Sequence, residues 1–233
     1  MIDITLQSYL DLVDRHPHFF SNESALFEII TDVSQILAWQ EKERAELAKN
    51  NKDSGWADIG ILVNDPYVLV IRDLVKFSNG KLGGYIRVVN TADLDNGVAV
   101  AVIPIVDNKV VLLYQYRHAT RSWHYEVPRG FGVEHLSAED NAIKEIEEEI
   151  DGRVEELVDL GNYQSNTGME RTNVKLFMAK LSAFGSPDLS EGIEKIHLVD
   201  VERLEQMIVE GEITDGFSIA SYTRAKLMGV LPV

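Results

Sequence analysis

The chain has 233 residues, 45 % of them apolar, with 22 Lys+Arg against 38 Asp+Glu for a net charge of −16, and no cysteine. This composition fits an ordinary globular protein and excludes disordered or collagen-like chains, disulfide frameworks, zinc–thiolate and iron–sulfur centres, and a cysteine nucleophile. The surplus of acid argues against binding a nucleic acid or docking on an anionic membrane, both of which recruit basic groups.

The first twenty residues carry Asp3, Asp11 and Asp14 and lack a basic start followed by an apolar run. No secretory signal is therefore expected, and the cytoplasm is the expected location. A short helix is predicted over 5–13. Leu26, Ile29, Ile30, Val33, Ile36 and Leu37 recur at i, i+3, i+4 and i+7. That pattern predicts an amphipathic helix over 26–37, starting near 21–24 and fading into the charged run 41–52. His16 and His18 flank Pro17 and read as surface residues, so residues 1–60 form an N-terminal helical extension. From Asp65 the period changes. Strands are predicted at 67–77 and 85–89 around the turn dipeptide Asn79-Gly80. Strands 98–106 and 109–116 follow, joined by Asp107-Asn108; the apolar stretch here is well short of the roughly 20 residues that a membrane span needs. A short strand over 123–127 ends at Pro128. A helix over 137–150 precedes strands at 154–162, 174–181 and 195–199. Asp200 caps a helix over 201–210 that stops at Gly211, and a last helix runs from about 217 to 228. Mostly antiparallel strands with inserted helices read as an α+β fold.

The helix over 137–150 carries the chemistry. Ser137 with Asp140 resembles a capping box, and Ala142, Ile143, Ile146 and Ile150 supply an apolar stripe. Asp151-Gly152 offers a glycine cap at its end. At about 100° per residue, Glu145, Glu148 and Glu149 share an arc of about 100°, with Glu147 on the opposite side. Carboxylates clustered without a cationic partner suit hard cations such as Mg²⁺ or Mn²⁺. An acidic run is also what a solvated helix face looks like, and on the helix alone both readings stand.

The flanking residues separate them. Glu126-Val127-Pro128-Arg129-Gly130-Phe131-Gly132 is a strand breaking into a Gly-rich loop. Strand, loop and acidic helix together resemble the signature of the Nudix hydrolases, G-x5-E-x7-R-E-U-x-E-E-x-G-U, with U aliphatic. Laid from Gly130, the pattern meets Glu145, Ile146, Glu148 and Glu149, while Lys144 stands at the Arg. Leu136 replaces the first Glu, Asp151 the Gly and Gly152 the last aliphatic residue. The likeness spans roughly 66–230 and is closest to the ADP-ribose pyrophosphatase branch, through Gln115-Tyr116-Arg117, the Glu-aliphatic-Pro approach to the loop, and the segments 191–196 and 210–215.

The resemblance implies a Nudix fold over 61–233, a mixed sheet sandwiched between helices and preceded by a β-hairpin region. It also implies metal-dependent hydrolysis of the diphosphate bond of a nucleoside diphosphate derivative, foremost ADP-ribose to AMP and ribose 5-phosphate. Mg²⁺ or Mn²⁺ would lie on Glu145, Glu148, Glu149 and the backbone carbonyl of Arg129. Glu191 would be the base, with Glu194 as second candidate or substrate contact. Arg117 would pair with phosphate oxygens or with the acidic helix, Arg129 would contact the diphosphate or partly restore the charge balance altered at Leu136, and Glu126 would meet a ribose hydroxyl or remain a paired sheet residue. Trp123, Tyr125 and Phe131 read as packing rather than as base-stacking platforms. A homodimer through 67–89 is expected. Leu136 is expected to pack inward beneath the loop. Because it also removes a carboxylate from the box, a nucleotide-binding or regulatory module with weak or no catalysis is the alternative.

Overall fold

The computed structural model describes residues 4–232. In chain order they form α1 (Ile4–Arg15), β1 (Glu28–Ile30), α2 (Val33–Lys49), β2 (Gly60–Asn64), β3 (Val68–Lys76), β4 (Leu82–Asn90), α3 (Thr91–Leu94), β5 (Ala99–Val106), β6 (Lys109–Arg117), β7 (Ser122–Glu126), β8 (Arg129–Gly130), α4 (Ala138–Ile150), β9 (Arg153–Tyr163), β10 (Glu170–Arg171), β11 (Val174–Ala183), β12 (Ile193–Val199), α5 (Val201–Val209) and α6 (Gly216–Leu227). Among the described residues no helix is long and apolar enough to cross a membrane. The chain divides into two units, one made of the described part of 1–94 with Asn166–Arg171, the other of Asp95–Ser165 with Thr172 onward.

In the first unit the strands run β1-β3-β4-β10, with β2 also paired to β3. One apolar cluster unites Leu6, Tyr9 and Leu12 of α1 with Ile36 of α2 and Ile71 and Leu74 of β3. Inside it the Tyr9 hydroxyl donates to Asp73 at 2.8 Å, and Arg87 closes on the same carboxylate. Strands β2 to β4 therefore share a core with the N-terminal helices within the first unit. The helix expected over 26–37 is a correction. Residues 28–30 pair with 74–76 as a strand, because Asn22 bonds both the N–H and the carbonyl of Ile29 and holds it extended. The helix begins only at Val33, where Asp32 accepts the Gln35 N–H at 2.9 Å, and it runs on through the charged segment to Lys49. Strand β2 has no counterpart in the sequence reading.

The second unit is built on a sheet ordered β12-β6-β5-β11-β9, with β7 on β6 and β8 on β5. Strand β5 is buried along its whole length, as a central strand covered on both faces must be. One face packs Ile103, Leu112 and Leu176 against Leu204 of α5 and Ala225 of α6. The other packs Val102, Leu113 and Phe177 against Ala142, Ile146 and Ile150 of α4. A sheet between helices is thus the observed arrangement. Ile146 and Ile150 are fully buried, each stabilising the docked helix by about 1.5–3 kcal/mol. The β5–β6 hairpin turns through Asp107 and Asn108, both with positive φ, the backbone that two-residue hairpins require.

Candidate active site

The acidic helix is fixed at both ends by its own sequence. Ser137 accepts the Asp140 N–H at 3.0 Å and donates to the Asp140 carboxylate at 2.7 Å. At the far end Asp151, not Gly152, adopts the left-handed conformation, with φ 49°. Gly152 is needed for space instead, since a Cβ there would lie 2.6 Å from Ile146 Cγ2. Asn141, on the buried side of α4, donates to the carbonyls of Phe131 at 2.9 Å and Val98 at 3.1 Å, tying the Gly-rich loop to the helix. Two loop glycines have steric reasons. A Cβ at Gly132 would lie 2.5 Å from the Gly97 carbonyl carbon, and a Cβ at Gly130 would fall on the Glu145 carboxyl.

Three carboxylates converge here. Glu149 is only 4 % exposed, and its Oε2 accepts the Arg129 backbone N–H at 3.2 Å. Burial, and after it the negative charge of Glu145, pushes Glu149 up to about 8; the Arg117 guanidinium and the Arg129 N–H oppose the rise, and Glu191 adds to it. Burial also raises Glu145, with Lys144 opposing and Glu148 and Glu191 adding. Glu191 reaches this pair from a 3₁₀ turn, Leu189–Glu191, just before β12. Glu148 turns outward, more than half exposed, and is ion-paired with Lys144. The arc expected to lack a cationic partner therefore has one, because Lys144 precedes Glu148 by one helical turn. Glu194, exposed on β12, pairs with Lys195 at 3.6 Å.

The arginines are organised by Glu126, which is 2 % exposed. Its Oε2 accepts Arg117 Nε at 2.8 Å, Arg117 Nη2 at 2.5 Å and Arg129 Nη2 at 3.0 Å. Glu126 is thus a buried anchor rather than an open ribose contact, and the direct partner of Arg117 lies on β7 rather than on the acidic helix. Arg129 Nη1 lies 3.5 Å from Asp215, and its guanidinium sits 4.9 Å from the Phe217 ring centre. Both guanidinium groups remain about a quarter exposed, at 27 % and 25 %. A doubly anchored, part-exposed arginine pair is suited to phosphate oxygens.

Four participants have no role in the sequence reading: Asn141, Gln115, Asp215 and Ser218. Asp215 caps α6 by accepting the Ser218 N–H at 2.8 Å, and the Ser218 hydroxyl accepts the Val127 N–H at 3.0 Å, holding the strand just before the loop. The spacing Asp215-x-x-Ser218 at a helix start was the available signal. Leu136 is the residue expected to pack inward beneath the loop. It is half-buried and belongs to none of the apolar clusters. A tight turn, with His135 at φ 64° and the Leu136 N–H on the Val133 carbonyl, leads into it, and Asn141 ties the loop to the helix. Trp123 stacks on Tyr114 with 5.0 Å between ring centres, and Phe131 is 59 % exposed.

Among the described residues no three His, Asp or Glu side chains form a closed metal cage. Mg²⁺ seldom uses one; it commonly takes one or two carboxylates and completes its shell with water and phosphate oxygens. Glu145 and Glu149, one turn apart and both raised chiefly by burial, fit that requirement.

Compared with known proteins, residues 95–215 match the family model described as NUDIX domain. Among solved structures the chain is similar to an ADP compounds hydrolase, with TM-score 0.64 and 18 % identity, over 74 % of this chain and 94 % of that one. At that identity the likeness is one of fold. No curated protein matches the chain.

Proposed function

Because the chain belongs to the Nudix family of pyrophosphohydrolases, we propose that it cleaves the diphosphate bond of a nucleoside diphosphate derivative, foremost ADP-ribose to AMP and ribose 5-phosphate. The observation that carries this reading is the convergence of Glu145, Glu149 and Glu191 beside the Gly-rich loop and an arginine pair anchored by Glu126. Glu145 and Glu149 would hold Mg²⁺ or Mn²⁺, with the Arg129 carbonyl as a further donor and Glu148 at the rim. Such an ion supplies neutralisation of the diphosphate charge and a more acidic water. Arg117 and Arg129 orient the phosphates; Glu126 fixes both guanidinium groups in advance, so little ordering is left for substrate to impose. Glu191 accepts the proton of the attacking water. Glu194, engaged with Lys195, stands outside this set.

A screen of nucleoside diphosphate derivatives with Mg²⁺, coupled to a phosphatase and read as phosphate release, tests the proposal. Tight nucleotide binding without release would support the binding-module alternative, which rests on Leu136 standing in place of a box carboxylate. The homodimer belongs to the same proposal. The sheet of the first unit exposes Val63 at 47 %, Tyr67 at 66 %, Leu82 at 38 % and Ile86 at 37 %, apolar area that a two-fold partner would cover. Light scattering at micromolar concentration should give twice the chain mass.

A further inference from the structure

Gln115 stands near the end of β6, its side chain 1 % exposed. Its Nε2 donates to the backbone carbonyl of Glu191 at 2.8 Å, while its Oε1 is buried without a hydrogen-bond partner. An amide with one end unsatisfied is a costly choice for a buried strand position, where an apolar side chain of similar size would pack without that penalty. The bond it does make falls on the residue that brings the third carboxylate to the site.

The rest of that loop shows why this bond matters. Its entry is fastened to the end of α4, through the Gly185 N–H on the Ile150 carbonyl at 2.8 Å and the Asp188 N–H on the Glu149 carbonyl at 3.0 Å. Asp188 caps the 3₁₀ turn by accepting the Ser190 N–H at 2.7 Å. At the exit Gly192 is left-handed, with φ 76°, and its carbonyl accepts the Tyr116 N–H at 2.9 Å. Two neighbouring residues of β6 thus grip two neighbouring carbonyls of the turn, and at Glu191 the grip is the Gln115 side chain. Pairing between β12 and β6 slips immediately afterwards, between Ile193 and Lys195, so the sheet ladder alone does not carry a regular register up to Glu191.

We propose that Gln115 is a positioning residue for hydrolysis: by holding the Glu191 carbonyl it fixes the Glu191 carboxylate against Glu145 and Glu149. The proposal rests on the reading of Glu191 as the base, and the two are separable in a double-mutant cycle of Gln115→Met with Glu191→Gln. Methionine keeps the length and removes the donor. If Gln115 acts through Glu191, Q115M lowers kcat by at least about tenfold with KM within about twofold, and costs nothing further in the E191Q background. Mn²⁺ binding, followed by the spin resonance of the free ion, gives a readout apart from turnover. It should stay within about twofold of wild type in Q115M, E191Q and the double variant, because Glu145 and Glu149 hold the ion; a loss of Mn²⁺ binding in Q115M alone would show that Gln115 supports the metal site rather than Glu191 and would overturn its role. Should Q115M not fold, Gln115→Leu, which also lacks the donor and adds no charge, carries the same test. Full turnover in E191Q overturns the reading of Glu191 as the base. A crippled E191Q beside an unimpaired Q115M, or losses that multiply in the double variant, overturns the role of Gln115.

Discussion

Replacing Glu149 by Gln should stabilise the metal-free protein at high pH while removing its activity. The native carboxyl is raised to about 8 from an ordinary value of 4.5, chiefly by burial and then by the charge of Glu145. A raised native value means that the folded state holds the proton more tightly than the unfolded chain. The stabilisation this gives is complete below the ordinary value and is lost as pH climbs to the native one. Each pH unit in that window is worth about 1.4 kcal/mol, so wild type should lose about 2–3 kcal/mol between pH 6 and pH 9 through this group alone. Gln keeps an acceptor for the Arg129 N–H and cannot ionise. The stability of E149Q relative to wild type should therefore rise by that amount between pH 6 and pH 9, measured by urea unfolding in chelator. Saturating Mg²⁺ should shrink the difference, because a cation beside Glu149 favours its ionised form. A difference that stays constant from pH 6 to pH 9 would refute the claim that Glu149 is a strained buried charge.

Two further outcomes follow from the loop. A Cβ at Gly130 lands on the Glu145 carboxyl, so Gly130→Ala should lower kcat by about 10²-fold through displacement of that group, with a much smaller effect in a thermal melt; undiminished turnover would sink the steric argument. Leu136→Glu should leave the melting temperature nearly unchanged, because Leu136 lies outside the apolar clusters, and should tighten Mg²⁺ binding by adding a charged oxygen ligand near the site. A large drop in melting temperature would show that Leu136 is packed after all.

The second unit was legible in the sequence because its signals are local. Ser137 caps α4 where the capping pattern placed it, the apolar stripe of Ala142, Ile146 and Ile150 is the buried face, and Asp107-Asn108 is the hairpin turn. The N-terminal region was misread where two signals overlapped. Ile29 and Ile30 continue the helical spacing of Val33 and Ile36, yet they belong to a strand held extended by Asn22, seven residues before Ile29. Within the site, spacing on one helix brought Glu145 and Glu149 together but did not show that Lys144 neutralises Glu148. The role of Glu126 was hidden for a different reason. Its partners Arg117 and Arg129 come from two other strands, and only the pairing of β7 with β6 and of β8 with β5 aims all three at one point. Gln115 entered the sequence reading only as part of the Gln115-Tyr116-Arg117 strand end, and Asn141 not at all, since the position of a single amide does not show which carbonyl it will reach.

Incubating the protein with ADP-ribose and Mg²⁺ and separating the products by ion exchange tests the proposed hydrolysis. AMP and ribose 5-phosphate should form in equal amounts, formation should be abolished by chelator, and the rate should be at least about 10²-fold lower in Glu149→Gln, equivalent to roughly 2.7 kcal/mol of transition-state stabilisation. Undiminished cleavage in chelator, or no cleavage of ADP-ribose or any other nucleoside diphosphate derivative with either Mg²⁺ or Mn²⁺, would contradict it.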